Sequence, residues 1–388
     1  FSRRQVPTPV INFQQAPNVV VILMESMAAH RSGAFGNPLE AMPQLDNLAR
    51  SGWLFTKFFT PTEGTARGVF ATVTGTVDIN QNRTSSRNPL IVDQNTPANF
   101  FTNYDKFYFI GGSANWGNIR GVLTNNIIDL NLYEEGMFEA PRTDVWGISD
   151  YDLFKEAHRI LSTKNSARPF LAFIQTAGFH RPYTIPEDHG DFQLETRSDG
   201  ELKKWGFESL AEYNSMRFAD YSLGHFIKLA KSSNYFDNTI FVILGDHGLP
   251  DNGSQNLTPT MIKHAIERFH TPLVFYGPKF FSPRVIDIVA SQQDILPTLA
   301  ALTGHEIVSL AMGRNIFDKK FDNYRYAFSY VYYRQPHTIF LFDKDYFVTG
   351  TPDQIEGLYN YTQPGPPKNI KAEMPEKFNH TKDLLLDF

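Results

Sequence analysis

"NVVVILME", residues 18–25, is a run of apolar, mostly β-branched residues that ends on a carboxylate. An unbroken apolar run of this length predicts a strand buried on both faces, as in a parallel sheet covered by helices. The same reading applies to "YDKFYFIGG" (104–112), "RPFLAFIQTAGFH" (168–180), "NTIFVILGDHG" (238–248) and "HTPLVFYGP" (270–278). Between these runs the apolar spacing turns helical. It does so in "MPQLDNLARSGWLF" (42–55, closing at Gly52), "YDLFKEAHRILST" (151–163), "LAEYNSMRFADYSLGHFIKLAKSS" (210–233) and "SQQDILPTLAALTG" (291–304). Strands alternating with helices predict an α/β fold, a mostly parallel central sheet with helices on both faces. After about residue 320 the texture changes. "YRYAFSYVYYRQPHTIFLFDKDYFVTG" (324–350) has the short alternating runs of a small antiparallel sheet. The expected organisation is a linker or stem over 1–17, a main domain over 18–320, and a C-terminal antiparallel subdomain over 321–388 packed on it.

Composition narrows the function classes. The 388 residues are 41% hydrophobic and 20% charged, a globular balance. A net charge of −5 leaves no basic footprint and argues against nucleic acid as a partner. The chain has no cysteine, which removes disulfides, cysteine–zinc sites and thiol nucleophiles together. Of the 34 Phe and 17 Tyr, most belong in a core, and some are free to line a pocket or meet a lipid surface. No apolar run reaches the ~18 residues of a membrane span. The opening "FSRRQVPTPVINFQQAPN" lacks the apolar stretch of a signal peptide and reads as a linker or cut site, with an anchor expected upstream on a longer parent.

In a parallel sheet, ligands sit beyond the carboxyl ends of the strands. That rule gathers Glu25, His180, Asp246 and His247 onto one rim. Carboxylates and imidazoles converging there suit a hard-to-borderline divalent cation; the alternative for Glu25 alone is a strand-end hydrogen bond. "GDHG" gains nothing as core, and its glycines permit close ligand approach. "FFTPTEGTARGVFATVTG" (58–75) then acquires a role. Its hydroxyls either cap a helix start or supply a nucleophile, which needs a base or a metal to react at neutral pH. Thr65, preceded by Gly64 and followed at once by the helical run, is preferred over Thr62. The helix N-terminus would add N–H donors for a transferred anion. Arg67 either contacts that anion or forms a surface pair.

"NVVVILMES", "MPQLDNLARSGWLFTKFFT", "EGTARGVFATVTG", "FVILGDHG", "DILPTLAALTG" and "GRNIF", in this order, resemble the alkaline phosphatase and sulfatase superfamily over residues 18 to about 318. The likeness is closer to its lipoteichoic acid synthase branch, the membrane-anchored phosphoglycerol transferases. The resemblance implies Glu25, Thr65, Asp246 and His247 as ligands of one Mn²⁺ or Mg²⁺, with Zn²⁺ as an alternative, and Thr65 as nucleophile. It makes His180 a group that binds the phosphoryl or protonates the leaving group, and Trp116, Asn118 and Arg120 contacts of the glycerol-phosphate head. His270 matches a position that holds an extra metal or the substrate in related phosphoethanolamine transferases; a strand-end hydrogen bond is the alternative. The implied reaction moves a phosphatidylglycerol-like head group, through a phosphorylated threonine, to a hydroxyl of a polymer or glucan. The implied place is the outer side of a bacterial cell membrane, in the periplasm or extracytoplasmic space.

Two departures matter. Sulfatases carry a Cys or Ser in C/S-x-P-x-R, whereas this chain has "TARG", which argues against formylglycine chemistry. Phosphoethanolamine transferases use threonine but rely on disulfides that this chain cannot form. Outside the transferase reading stand a phosphodiesterase or sulfatase-like ester hydrolase, with water as acceptor, and a non-catalytic scaffold, against which the complete ligand set argues.

Overall fold

The strand Asn18–Met24 is buried along its whole length and lies at the centre of an eight-stranded sheet. It pairs in parallel with Thr239–Gly245 on one side, Asn18 opposite Thr239, and with Phe170–Gln175 on the other. The sheet continues in parallel through Asp105–Ile110 to an edge strand, Leu130–Tyr133. In the other direction Leu273–Tyr276 runs antiparallel to both of its neighbours, Thr239–Gly245 and Trp53–Phe55. Arg284–Ile286 closes that edge, parallel to Trp53–Phe55. This computed structural model describes residues 3–8, 10–80, 84–87, 94–164, 167–251, 253–331 and 337–386. Residues 332–336 of the C-terminal stretch, and 1, 2 and 9 of the expected linker, lie outside them.

Successive strand residues point to opposite faces, so each strand feeds two cores. Val20, Ile22, Phe107, Phe109, Ala172, Ile174, Phe241 and Ile243 pack under the helices Pro43–Ser51, Asp150–Ser162 and Leu210–Lys231. Val19, Val21, Tyr108, Leu171, Phe173, Ile240 and Val242 pack under Thr65–Thr74, Ile119–Asn126 and Ile295–Leu302. Helices on both faces of a mostly parallel sheet are the expected α/β architecture. The stretch 42–55 divides at Gly52: the helix ends at Ser51 and Trp53–Phe55 is a strand. Within 1–17, Arg3–Gln5 forms a strand antiparallel to Ile307–Ser309, and Gln5 is buried.

The C-terminal sheet is an antiparallel meander of Tyr326–Val331, Thr338–Asp343, Tyr346–Thr351 and Gln354–Asn360. One face packs through Phe340, Phe342 and Phe347 onto Phe59, Met261, Ile266 and Phe269 of the main domain. Phe59 and Phe342 stack with ring centres 4.2 Å apart. The other face carries Phe328, Leu341, Val348 and Leu358 beneath the helix Pro375–Leu386, which the sequence reading left unassigned.

Candidate active site and metal centre

Glu25 follows directly on the central strand, and Asp246 and His247 follow on its neighbour. Their positions are fixed by main-chain bonds. The Asp246 N–H donates to Met24 O at 3.1 Å, the Glu25 N–H to Thr176 Oγ1 at 2.9 Å, and the Ser26 and His247 N–H groups both donate to Asp246 Oδ1 at 2.7 Å. Gln292 Nε2 donates to Asp246 O at 2.7 Å from the helical face. Thr65 arrives from the other chain segment as the first residue of its helix, with Gly64 extended before it. Gly68 makes this approach feasible: a β-carbon there would lie 2.8 Å from Asp246 O.

One ligand atom each from Glu25, Asp246 and His247 lie within 4.8 Å of one another, and all three residues are buried. Thr65 Oγ1 donates to Glu25 Oε2 at 3.2 Å and lies 3.4 Å from His247 Nε2. His247 donates its Nδ1–H to Gly248 O at 2.8 Å, which leaves Nε2 with its lone pair turned to the cluster. Asp246 Oδ2 is buried without a hydrogen-bond partner among the described residues. A buried orphan carboxylate oxygen is costly unless something cationic meets it. The donor set of carboxylate oxygens, one hydroxyl and one imidazole therefore fits Mn²⁺ or Mg²⁺, and admits Zn²⁺.

The electrostatics agree. Burial and the neighbouring Glu25 carboxylate push Asp246 above the usual carboxylate range. Burial also opposes ionisation of Glu25, but the His180 hydrogen bond and the charges of His247 and His180 outweigh it and hold Glu25 low. Burial depresses His247, and the carboxylates of Asp246 and Glu25 more than restore it. A cation among these groups relieves the carboxylate repulsion and keeps the imidazole neutral.

His180 closes the cluster on one side. Its Nε2 is 3.3 Å from Glu25 Oε2, and its ring stacks on Trp146 with centres 4.0 Å apart. Burial lowers its pKa, but Glu25 outweighs burial and the net shift is upward. A cleft of about 230 Å³ opens outward from Glu25, Thr65 and His180, walled by Trp116, Trp146, Gln175 and the exposed Val145.

The remaining sequence-predicted residues divide. Trp116 lines the cleft and is 44% exposed. Asn118 sits in the left-handed region at φ 57° and donates to Ser86 O; it supports the turn that packs against Ala66 rather than lining the cleft. Arg120 pairs with Glu134 at 2.6 Å outside the cleft wall. Arg67 is neither at the anion position nor on the surface. Its buried guanidinium turns to Asp78 O at 3.1 Å and Asn80 O at 2.7 Å, because its place on the helix points it away from the rim. His270 is separate from the ligand cluster: Nε2 donates to Thr56 O at 2.8 Å, the ring stacks on Phe59, and burial pushes its pKa down to about 4. Thr62 is buried, and its hydroxyl has no hydrogen-bond partner among the described residues. Sequence reasoning missed Trp146, Ser26 and Gln292. Only Ser26, a hydroxyl adjoining Glu25, carried a local signal.

Comparison with known proteins places the chain in a family and a fold. The "Sulfatase" family model matches residues 17–305. A Bacillus subtilis (strain 168) protein described as lipoteichoic acid synthase-like YvgJ is 24% identical over 323 residues, 74% of this chain. The chain spans about half of that relative's length, 48%. A solved structure of an alkaline phosphatase superfamily protein from Vibrio parahaemolyticus superimposes with a TM-score of 0.77 at 25% identity, covering 96% of this chain and 86% of that one. The lipoteichoic acid synthase LtaP from Listeria monocytogenes shares the fold at a TM-score of 0.76 and 20% identity, covering 96% and 91%. Among the described residues no helix is long and apolar enough to cross a membrane. With its family model spanning Glu25, Asp246, His247 and the threonine helix between them, the chain belongs to the sulfatase family.

Proposed function

We propose that this chain is the catalytic domain of a metal-dependent phosphotransferase that moves a phosphoglycerol-type head group from a phosphatidylglycerol-like lipid to a hydroxyl of a polymer or glucan. The observation that carries the reading is the hydroxyl of Thr65, at a helix N-terminus, within 3.2 Å of Glu25 and 3.4 Å of His247. A divalent cation held by Glu25, Thr65, Asp246 and His247 would supply positive charge that acidifies the threonine hydroxyl and offsets charge on the phosphoryl oxygens.

The residues divide the work as follows. Thr65 Oγ1, its proton released to solvent, attacks the phosphorus. The bond from phosphorus to the diacylglycerol oxygen breaks, and His180 delivers its proton to that oxygen. Diacylglycerol leaves, and the head group remains as a glycerophosphoryl ester on Thr65. An acceptor hydroxyl then attacks the same phosphorus and passes its proton to His180; the bond to Thr65 breaks, and Thr65 Oγ1 takes a proton back from solvent. The N–H groups at the helix start and the in-line geometry stabilise equatorial charge in both steps. Trp116 and Trp146 flank the space a head group would fill. Removing either half of this machinery costs several kcal/mol of barrier, where ~1.4 kcal/mol is tenfold in rate.

The relatives support an extracytoplasmic domain tethered to the cell membrane from outside the present sequence. The test is product analysis. The protein is incubated with labelled phosphatidylglycerol and Mn²⁺, with and without an alcohol acceptor, beside parallel reactions on phosphatidylethanolamine. Labelled acceptor and a mass increase on the Thr65 peptide support the transferase. Free glycerol phosphate at the same rate with and without acceptor makes the protein a hydrolase instead, and turnover of phosphatidylethanolamine alone makes it a phosphoethanolamine transferase.

A further inference from the structure

His180 sits on an irregular segment, 176–183, with no regular secondary structure to fix it. A side chain on a free loop would sample many orientations, and a misplacement of about 1 Å in a catalytic group can cost about 10²-fold. Yet nearly every residue of this segment is held. Asp150, the first residue of its helix, accepts the N–H groups of both Ala177 and Gly178 through Oδ1, each at 3.0 Å. A β-carbon at Gly178 would lie 2.7 Å from Asp150 Oδ2, so the backbone rides directly on that carboxylate. Ser215 Oγ donates to Gly178 O at 3.1 Å. Phe179 lies beneath the Arg31 guanidinium at 5.6 Å, and Arg31 is itself paired with Glu212 at 2.9 Å.

The far side is held by Trp146. Its indole stacks on the His180 ring at an interplanar angle of 16°, and its Nε1–H donates to Arg181 O at 2.8 Å. Its backbone is seated against Gly112, where a β-carbon would lie 2.3 Å from Trp146 O. One carboxylate thus grips the segment two and three residues before the imidazole, and one indole grips it at the ring and one residue after.

We infer that Asp150 and Trp146 are the positioning residues of this site, a clamp that fixes the His180 ring against Glu25. The inference rests on the role given to His180 above. Neither residue belongs to the candidate ligand cluster, and Asp150 does not line the cleft.

The test is a double-mutant cycle against His180→Ala, read as kcat and KM on a phosphatidylglycerol analogue, with Mn²⁺ affinity measured alongside. Asp150→Ala should lower kcat about 30- to 100-fold, with KM within about threefold and Mn²⁺ affinity unchanged. Asp150→Asn keeps an oxygen able to accept both N–H groups and should stay within about fivefold of the parent. In the His180→Ala background, Asp150→Ala should cost less than about threefold more, since the group it positions is gone. Trp146→Ala should lower kcat as Asp150→Ala does but also raise KM, because its indole walls the cleft, and its kcat carries the same cycle if Asp150→Ala does not fold. Losses that multiply in the double variants, or a fall in Mn²⁺ affinity with either single one, overturn the clamp. A Thr65→Ala protein with full activity would instead overturn the proposed function and leave these outcomes distinguishable from it.

Discussion

The ligand-bearing rim of the central sheet and the C-terminal meander adjoin one another, joined through Phe59, Phe269 and the ring of His270 between them. They are stabilised in opposite ways. The meander is an apolar wedge: Phe340, Phe342 and Phe347 are sealed against the main domain, and Leu341 and Val348 under the terminal helix. The rim buries two carboxylates and one imidazole and leaves Asp246 Oδ2 without a hydrogen-bond partner among the described residues. One region is complete as folded; the other holds a donor set that a divalent cation would complete.

Thr65→Ala breaks the comparison most severely. It should reduce turnover of a phosphatidylglycerol analogue at least about 10³-fold, ~4 kcal/mol, while the melting temperature hardly moves. Parental turnover would remove the rim's chemistry altogether. Leu341→Ala should do the reverse. With its side chain 1% exposed, truncation should cost about 2–4 kcal/mol in urea denaturation and leave kcat of the folded protein unchanged. A metal titration read by thermal melting separates the two regions next. Mn²⁺ at ~100 times its Kd should stabilise the parent and Leu341→Ala alike by about 2.7 kcal/mol, and should not stabilise Asp246→Asn.

Acid should strike the junction. Burial pushes both His264, packed against Phe347 and Tyr359, and His270 down to about 4. The unfolded chain takes up these protons near pH 6.5, so it binds more protons than the folded one between the two values. Their stabilisation is full above pH 6.5 and is lost as pH falls toward 4. Melting temperature should therefore drop from pH 7 to pH 5, and His264→Phe should shrink the drop. The smallest effect belongs to Arg120→Ala. Arg120 pairs with the buried Glu134 and does not line the cleft, so KM should rise no more than about fivefold and kcat should hold.

The central strands were legible because burial on both faces demands continuous β-branched and aromatic runs. Leu130–Tyr133 and Arg284–Ile286 were not: short edge strands, partly exposed, carry little pattern. The reversed direction of Leu273–Tyr276 leaves no mark in its composition. The six-residue helix Asp199–Lys204, whose start Ser198 caps, is too short and polar to show a helical apolar repeat. The site followed the same logic. Glu25, Asp246, His247 and Thr65 stand at element ends, where topology dictates where they meet. Arg67 and His270 stand beside those ends, but rotation about the helix and the strand-end turn send their side chains elsewhere, which residue type alone does not disclose.

The central strand's partnership with Thr239–Gly245 also has a consequence for biosynthesis. Asn18 meets Thr239 across 221 intervening steps of chain. At about 5–20 residues per second on a ribosome, "VVVIL" waits on the order of 10–40 s for that neighbour. Through that interval it presents an unpaired apolar edge. Truncated chains ending before Gly245 should therefore aggregate or recruit chaperones, and slowing translation ahead of residue 239 should lower the soluble yield.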